Sequence, residues 1–167
     1  VGYHASRRGR VGPGDTVLVI GCGVIGVGAI AACVSQGATV IAADIDAGKL
    51  SFVKNFGVKE VIHTREQNLP EEIQKLTGGE GVQVVIEAVG SPQTYQWALE
   101  AAAYAGRVLA IGYAREAASL DTSLIVRKEL DLRGSRNVLN EFGPVMTLLE
   151  EKKLPLDRLG SRLYPLG

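Results

Sequence analysis

The sequence predicts a doubly wound α/β domain, with six parallel strands and helices on both faces. Three observations predict it. Short apolar, β-branched runs alternate with amphipathic stretches along the whole chain. The run from Val82 to Val89 is nearly all apolar, as in a strand buried on both faces. Glycine is abundant, 21 of 167 residues and roughly twice average usage, and it falls where strands and helices should turn.

Each element follows from its neighbours. Thr16 to Ile20 lies between Gly14-Asp15 and Gly21 and reads as the first strand. Val24 to Gln36 reads as an apolar helix stopped by Gly37. Thr39 to Ala43 is the second strand. Asp46 can cap a helix running to about Phe56, stopped by Gly57. Glu60 to Thr64 is the third strand, and Pro70 opens a short helix through Leu76. After the loop Gly78 to Gly81 comes the fourth strand, Val82 to Val89. Ser91-Pro92 then caps and starts a helix reaching about Tyr104. Arg107 to Gly112 is the fifth strand and Leu130 to Gly134 the sixth, with a short helix near Leu124 to Lys128 between them. Asn140 to Lys153 is the last helix, and Leu154 to Gly167 an extended tail.

Composition excludes several classes. Lys plus Arg equals Asp plus Glu at 18 each, so no basic excess argues for nucleic acid or an anionic membrane. Arg7, Arg8 and Arg10 read as a solvated face. The two cysteines, Cys22 and Cys33, make neither a disulfide framework nor a zinc knuckle, and suit small buried positions in a reducing cytoplasm. The apolar stretch Val24 to Val34 is too short and glycine-rich to span a bilayer. No secretory leader pattern opens the chain, which starts without Met and reads as an excised piece.

Chemistry enters at Gly21-Cys22-Gly23-Val24-Ile25-Gly26, a G-x-G-x-x-G between a strand and a helix. Gly21 allows the tight turn, Gly23 leaves room for a pyrophosphate, and Gly26 lets the helix pack against the sheet. Val24 and Ile25 bring first-turn amides, which together with the helix dipole favour phosphate. The plain alternative is a glycine turn with no ligand. Asp44 weighs against it. It stands 23 positions after Gly21, near the spacing of about 20 at which a carboxylate meets the adenosine ribose. It would also repel a 2′-phosphate, by about 4 kcal/mol at about 4 Å and intermediate dielectric before solvent screening. Ile45 offers no cation to such a phosphate, so NAD is expected over NADP. Lys49 either meets the ribose or a phosphate, or extends into solvent.

These residues, with Val1 to Arg8, Glu87-Ala-Val-Gly90, Ile111-Gly112 and Asp131 to Asn137, resemble the zinc-containing medium-chain dehydrogenases. The sorbitol, threonine and sugar-acid branch is the nearest in pattern. The resemblance implies a Rossmann cofactor domain over residues 1–167, with 1–13 as lead-in and 154–167 as tail toward a catalytic domain outside the chain. It implies hydride transfer between a polyol or sugar acid and NAD. It implies that Val89 and Gly90 line the cofactor cleft, that Ile111, Gly112 and Tyr113 approach the nicotinamide, and that Arg136 and Asn137 lie at the mouth shared with the other domain. Zinc would belong to that other domain. Pairing into a homodimer through the sheet edge is a further implication. Arg162 stands where the family often has His.

No residue here offers catalysis of its own. No Tyr is followed four positions on by Lys, and no Ser-His-Asp arrangement is present. His4 is read as a packing or surface residue, His63 as exposed near the adenine side, and Glu87 as a local structural acceptor. Two other readings stay open: a nucleotide-sensing module of the channel-gating kind, and a zinc-free quinone reductase, against whose usual NADPH preference Asp44 argues.

Overall fold

A computed structural model describes residues 1–151 and Pro155. The strands are β1 (Thr16–Ile20), β2 (Thr39–Asp44), β3 (Glu60–His63), β4 (Val82–Glu87), β5 (Ala102–Ala110) and β6 (Asp131–Gly134). The helices are α1 (Gly2–Arg8), α2 (Val24–Ser35), α3 (Ala47–Val53), α4 (Leu69–Leu76), α5 (Pro92–Ala101), α6 (Thr122–Arg127) and α7 (Phe142–Glu150). The strands form one sheet in the order β3-β2-β1-β4-β5-β6, and every pairing is parallel. The direction of winding reverses between β1 and β4, and ligands of such sheets sit above the strand ends at that break.

The β1 sequence shows why both faces are covered. Val17 and Val19 point into one apolar core with Val27, Ile30 and Phe56. Leu18 and Ile20 point into the other with Ile41, Ile73 and Leu99. With a side-chain period of two, only a run apolar at every position can serve both layers.

The predicted helix starts rest on real caps. Asp46 accepts the amides of Gly48 and Lys49, Asn68 accepts that of Glu71, and Ser91 shares a reciprocal cap with Thr94. Pro70 therefore sits in the first turn of α4 and not at its first residue. A 3-10 turn (Lys54–Phe56) follows α3 and ends at Gly57, whose φ is +82°.

Three differences from the sequence reading have physical causes. First, Gly2–Arg8, read as lead-in, is a helix packed on α2. A Cβ on Gly2 would fall 2.3 Å from the Ala29 nitrogen, so the approach is too close for any side chain. Second, α5 stops at Ala101 rather than Tyr104, because β5 begins at once and Ala102 pairs with Val82. The register then shifts, with Ala105 at φ +53° and Gly106 packed against the Ala103 carbonyl, before Arg107 pairs with Val84. Lys128 makes the abrupt stop tolerable: its Nζ donates to the carbonyls of Leu99, Glu100 and Ala102 at 3.3, 2.8 and 2.7 Å. Third, the arginines are not a purely solvated face. Arg7 reaches Glu141 at 3.5 Å and Arg10 reaches Asp131 at 3.3 Å. Apart from Pro155, the tail, Arg162 included, lies outside the described residues. Among the described residues, no helix is long and apolar enough to cross a membrane.

Candidate dinucleotide site

The site begins with the turn from β1 to α2. Gly21 has φ +97°, a conformation that side chains disfavour. A Cβ on Gly26 would fall 1.7 Å from the Gly21 carbonyl oxygen, so helix and turn touch through backbone alone. A Cβ on Gly23 would meet nothing within 4 Å. That open space lies directly at the N-cap of α2, where no side chain caps the helix. The free first-turn amides and the dipole face a volume with room for phosphate. Val24 is 82% exposed there, an apolar side chain left uncovered at the mouth.

Asp44 ends β2 beside this turn. It is buried, yet among the described residues no ion pair shorter than 4.0 Å holds it. Its Oδ2 accepts the Cys22 amide at 2.7 Å and its Oδ1 accepts the Asp46 amide at 2.9 Å. Each oxygen keeps a second lone pair for a hydroxyl. Lys49 Nζ stands 4.0 Å from Oδ2 and bounds the same space. Gly21, Gly23, Asp44, Ile45, Lys49 and Val89 line one cleft of about 270 Å³. Trp97, Thr94 and Thr64 line it too, and sequence reasoning missed them. They come from α5 and from the end of β3, and only the sheet order brings them to β2.

A second cavity of about 340 Å³ lies toward β5 and β6. Ile25, Ile111, Tyr113, Arg136 and Asn137 line it, together with Val1 and Ser135, which sequence reasoning did not select. The Arg136 guanidinium stands 6.0 Å from the Tyr113 ring centroid. Gly90 and Gly112 lie behind these walls. A Cβ on Gly112 would fall 2.2 Å from the Gly90 nitrogen, and one on Gly90 would strike the Tyr113 backbone. Their role is to let the segments that follow β4 and β5 pack backbone against backbone.

Glu87 anchors that contact, in keeping with its reading as a structural acceptor. Its Oε1 accepts the amides of Val89 and Gly90 at 2.9 and 2.8 Å and the Thr94 hydroxyl at 2.8 Å. The Glu87 carbonyl accepts the amides of Ile111 and Gly112. Tyr95 ties down the far side by donating to the Gly112 carbonyl.

The histidines take structural places. His4 Nδ1 lies 3.0 Å from Glu141 Oε1. His63 is not exposed as expected: its side chain is 19% accessible and faces Glu66 at 3.4 Å, one strand over from Asp44. The thiols of Cys22 and Cys33 are pushed up to about 12, mainly by burial, which suits neither nucleophile nor metal ligand. No group of three or more His, Cys, Asp or Glu among the described residues could hold a metal ion. The described residues do not fit zinc, whereas the turn beside Asp44 is open, with free amides and room at Gly23.

Sheet order, glycine turn and strand-end carboxylate together define the Rossmann class of dinucleotide-binding folds. The chain belongs to the zinc-binding dehydrogenase family, whose signature matches residues 24–151. It is 33% identical to sorbitol dehydrogenase of Bacillus subtilis over 144 residues, 85% of this chain and 41% of that one. It is 32% identical to erythritol/L-threitol dehydrogenase of Mycolicibacterium smegmatis, over 98% of this chain and 46% of that one. Alcohol dehydrogenase TADH from Thermus sp. ATN1 superposes with a TM-score of 0.89 at 30% identity, covering 96% of this chain and 47% of that one. The chain thus spans about half the length of these relatives.

Proposed function

We propose that this chain binds NAD(H) and presents the nicotinamide to a catalytic domain that acts on a secondary alcohol, a polyol or sugar acid. The observation that carries the reading is the buried Asp44 carboxylate beside the open Gly23 turn. The turn amides hold the pyrophosphate, Asp44 and Lys49 hold the adenosine ribose, and Ile45 and Trp97 border the adenine. The nicotinamide end enters the second cavity, against Ile111 and Tyr113. Bound there, NAD supplies a carbon that accepts hydride from the alcohol. This chain's contribution is to orient that carbon and exclude water from one side of it.

Zinc is assigned to the catalytic domain of the parent protein, because the residues here do not fit it. Residues 1–13 and 154–167 are assigned as the links to that domain, with α1 docked on the cofactor domain. The named relatives support alcohol or polyol oxidation. The parent is assigned to the cytoplasm. A homodimer through β6 is consistent with its place at the edge of the sheet.

Titration with NADH tests the reading directly. Trp97 is the only tryptophan in the chain and lines the cleft. Bound NADH should quench it and emit by energy transfer. Absence of saturable transfer, with no heat of binding in calorimetry, would refute NAD(H) binding.

A further inference from the structure

Among the described residues, Glu141 is the one buried between Ser135 and Leu148. One of its oxygens faces α1: Oε1 lies 3.0 Å from His4 Nδ1 and 3.5 Å from the Arg7 guanidinium. The other faces its own segment, where Oε2 accepts the Leu139 amide. That segment has little else to hold it. Residues 136–140 are exposed, and among the described residues they make no backbone–backbone hydrogen bond. Asn137 sits at φ +58°. At the near end Ser135 is buried, and its amide donates to the Ala110 carbonyl. An exposed stretch with so few bonds of its own opens at small cost unless its far end is fixed too.

The two elements that Glu141 joins both supply walls of the second cavity. Val1, at the N-cap of α1, lines it, and so do Ser135, Arg136 and Asn137. Among the described residues, neither element contributes to the cleft beside Asp44. We propose that Glu141 is a positioning residue for the nicotinamide: by tying α1 to the segment after β6 it holds two walls of the nicotinamide-end cavity together, and so sets the affinity for that half of the dinucleotide alone. This rests on the reading that the chain binds NAD(H) with its nicotinamide in the second cavity. Glu141 lines neither cavity and acts through the elements it joins. Of these, α1 is fixed, because Gly2 packs against the Ala29 backbone. The carboxylate passes that rigidity to a loop that has little of its own.

The test compares NADH with ADP-ribose, which keeps the adenosine, the pyrophosphate and the second ribose and lacks the nicotinamide. Calorimetry gives both dissociation constants for the wild-type chain and its variants. Glu141→Gln turns an amide nitrogen toward one of the donors that the carboxylate accepts. His4→Leu removes the bond to α1 and keeps the bulk. In both, the ratio Kd(NADH)/Kd(ADP-ribose) should rise about three- to tenfold, the cost of ordering about one further side chain on binding. ADP-ribose itself should stay within about twofold of wild type. His4→Gln restores a donor and should return the ratio to within about twofold of wild type. An unchanged ratio in either of the first two variants, or equal weakening of both ligands, overturns the proposal. So does a ratio in His4→Gln as high as in His4→Leu. If circular dichroism shows Glu141→Gln unfolded, the two His4 variants decide by the same criteria. If the wild-type chain binds ADP-ribose as tightly as NADH, this inference fails while the NAD(H) reading stands. If it binds neither, both fail.

Discussion

Asp44 Oδ2 accepts the backbone amide of Cys22 at 2.7 Å. The carboxylate thus fixes the middle of the glycine turn as well as facing the cleft. Its substitution should have two separable effects. Asp44→Ser with Ile45→Arg should shift preference from NADH toward NADPH, because the change removes a repelling charge and adds an attracting one. It should also lower stability by about 1–3 kcal/mol, since a buried amide loses a charged acceptor. Paired NADH and NADPH titrations with denaturant melts would read both. An unchanged NADH/NADPH ratio would show that Asp44 does not face the ribose, and a wild type preferring NADPH would overturn the NAD assignment.

Two glycines of the same turn should behave in opposite ways. Gly26→Ala places a methyl 1.7 Å from the Gly21 carbonyl oxygen, where neither side can yield without moving α2. It should cost about 2 kcal/mol or more. Gly23→Ala enters open space at a negative φ and should change stability by about 1 kcal/mol at most. It should nevertheless weaken NADH binding markedly, because its methyl occupies the room held for phosphate. If Gly23→Ala binds NADH normally, the phosphate does not lie at this turn.

Lys128 holds three carbonyls at the end of α5. Lys128→Met keeps much of the aliphatic stem and removes the donor. Urea denaturation should show a loss of about 1.5–3 kcal/mol, the range for hydrogen bonds to a charged group. NADH affinity should stay within about twofold, since Lys128 lines neither cavity.

Acid should loosen the junction of α1 and α7. The His4 hydrogen bond, then the Leu139 amide, hold the Glu141 carboxyl down at about 2, against an ordinary 4.5. A carboxyl lowered on folding contributes stability above its unfolded value, and that contribution fades as pH falls through the folded value. The loss should therefore fall between about 4.5 and about 2. Thermal melts across that window should show a shallower pH dependence in Glu141→Gln than in wild type. Equal slopes would show that Glu141 is not coupled to folding.

Purified alone, the chain should hold no stoichiometric zinc and form no NADH from sorbitol, threonine or aldonic acids. Metal analysis and absorbance at the reduced nicotinamide band would check this. One tightly bound zinc per chain, or turnover above background, would place catalytic machinery within these residues.

The sheet and the glycine turn were legible because both are written locally. A strand buried on two faces must be apolar throughout, as Val17 to Ile20 is, and a turn touching backbone to backbone must be glycine, as Gly26 is. Asp44 was legible by its distance from Gly21. What escaped depends on partners far away in the chain. Gly2–Arg8 carries no apolar stripe, and its helix rests on small residues fitting against α2. The end of α5 among three consecutive alanines, Ala101 to Ala103, has no local stop signal, because the stop is made by pairing with Val82 and by Lys128. Trp97 read as a helix residue, and only the packing of α5 on β4, next to the break in winding at β1, brings it to the cleft.

The contact between Gly26 and Gly21 ties the existence of the site to the existence of the domain. That packing of α2 on β1 holds the start of the helix in place whatever residue stands at position 23. Ile45, by contrast, is 53% exposed and supports nothing beneath it. Under mutational drift the residue at position 45 is free to change early, whereas Gly26 is held by the fold itself and Gly23 only by what it leaves room for. In a lineage descended from such a chain, cofactor preference should therefore be the variable trait and the phosphate cradle the inherited one.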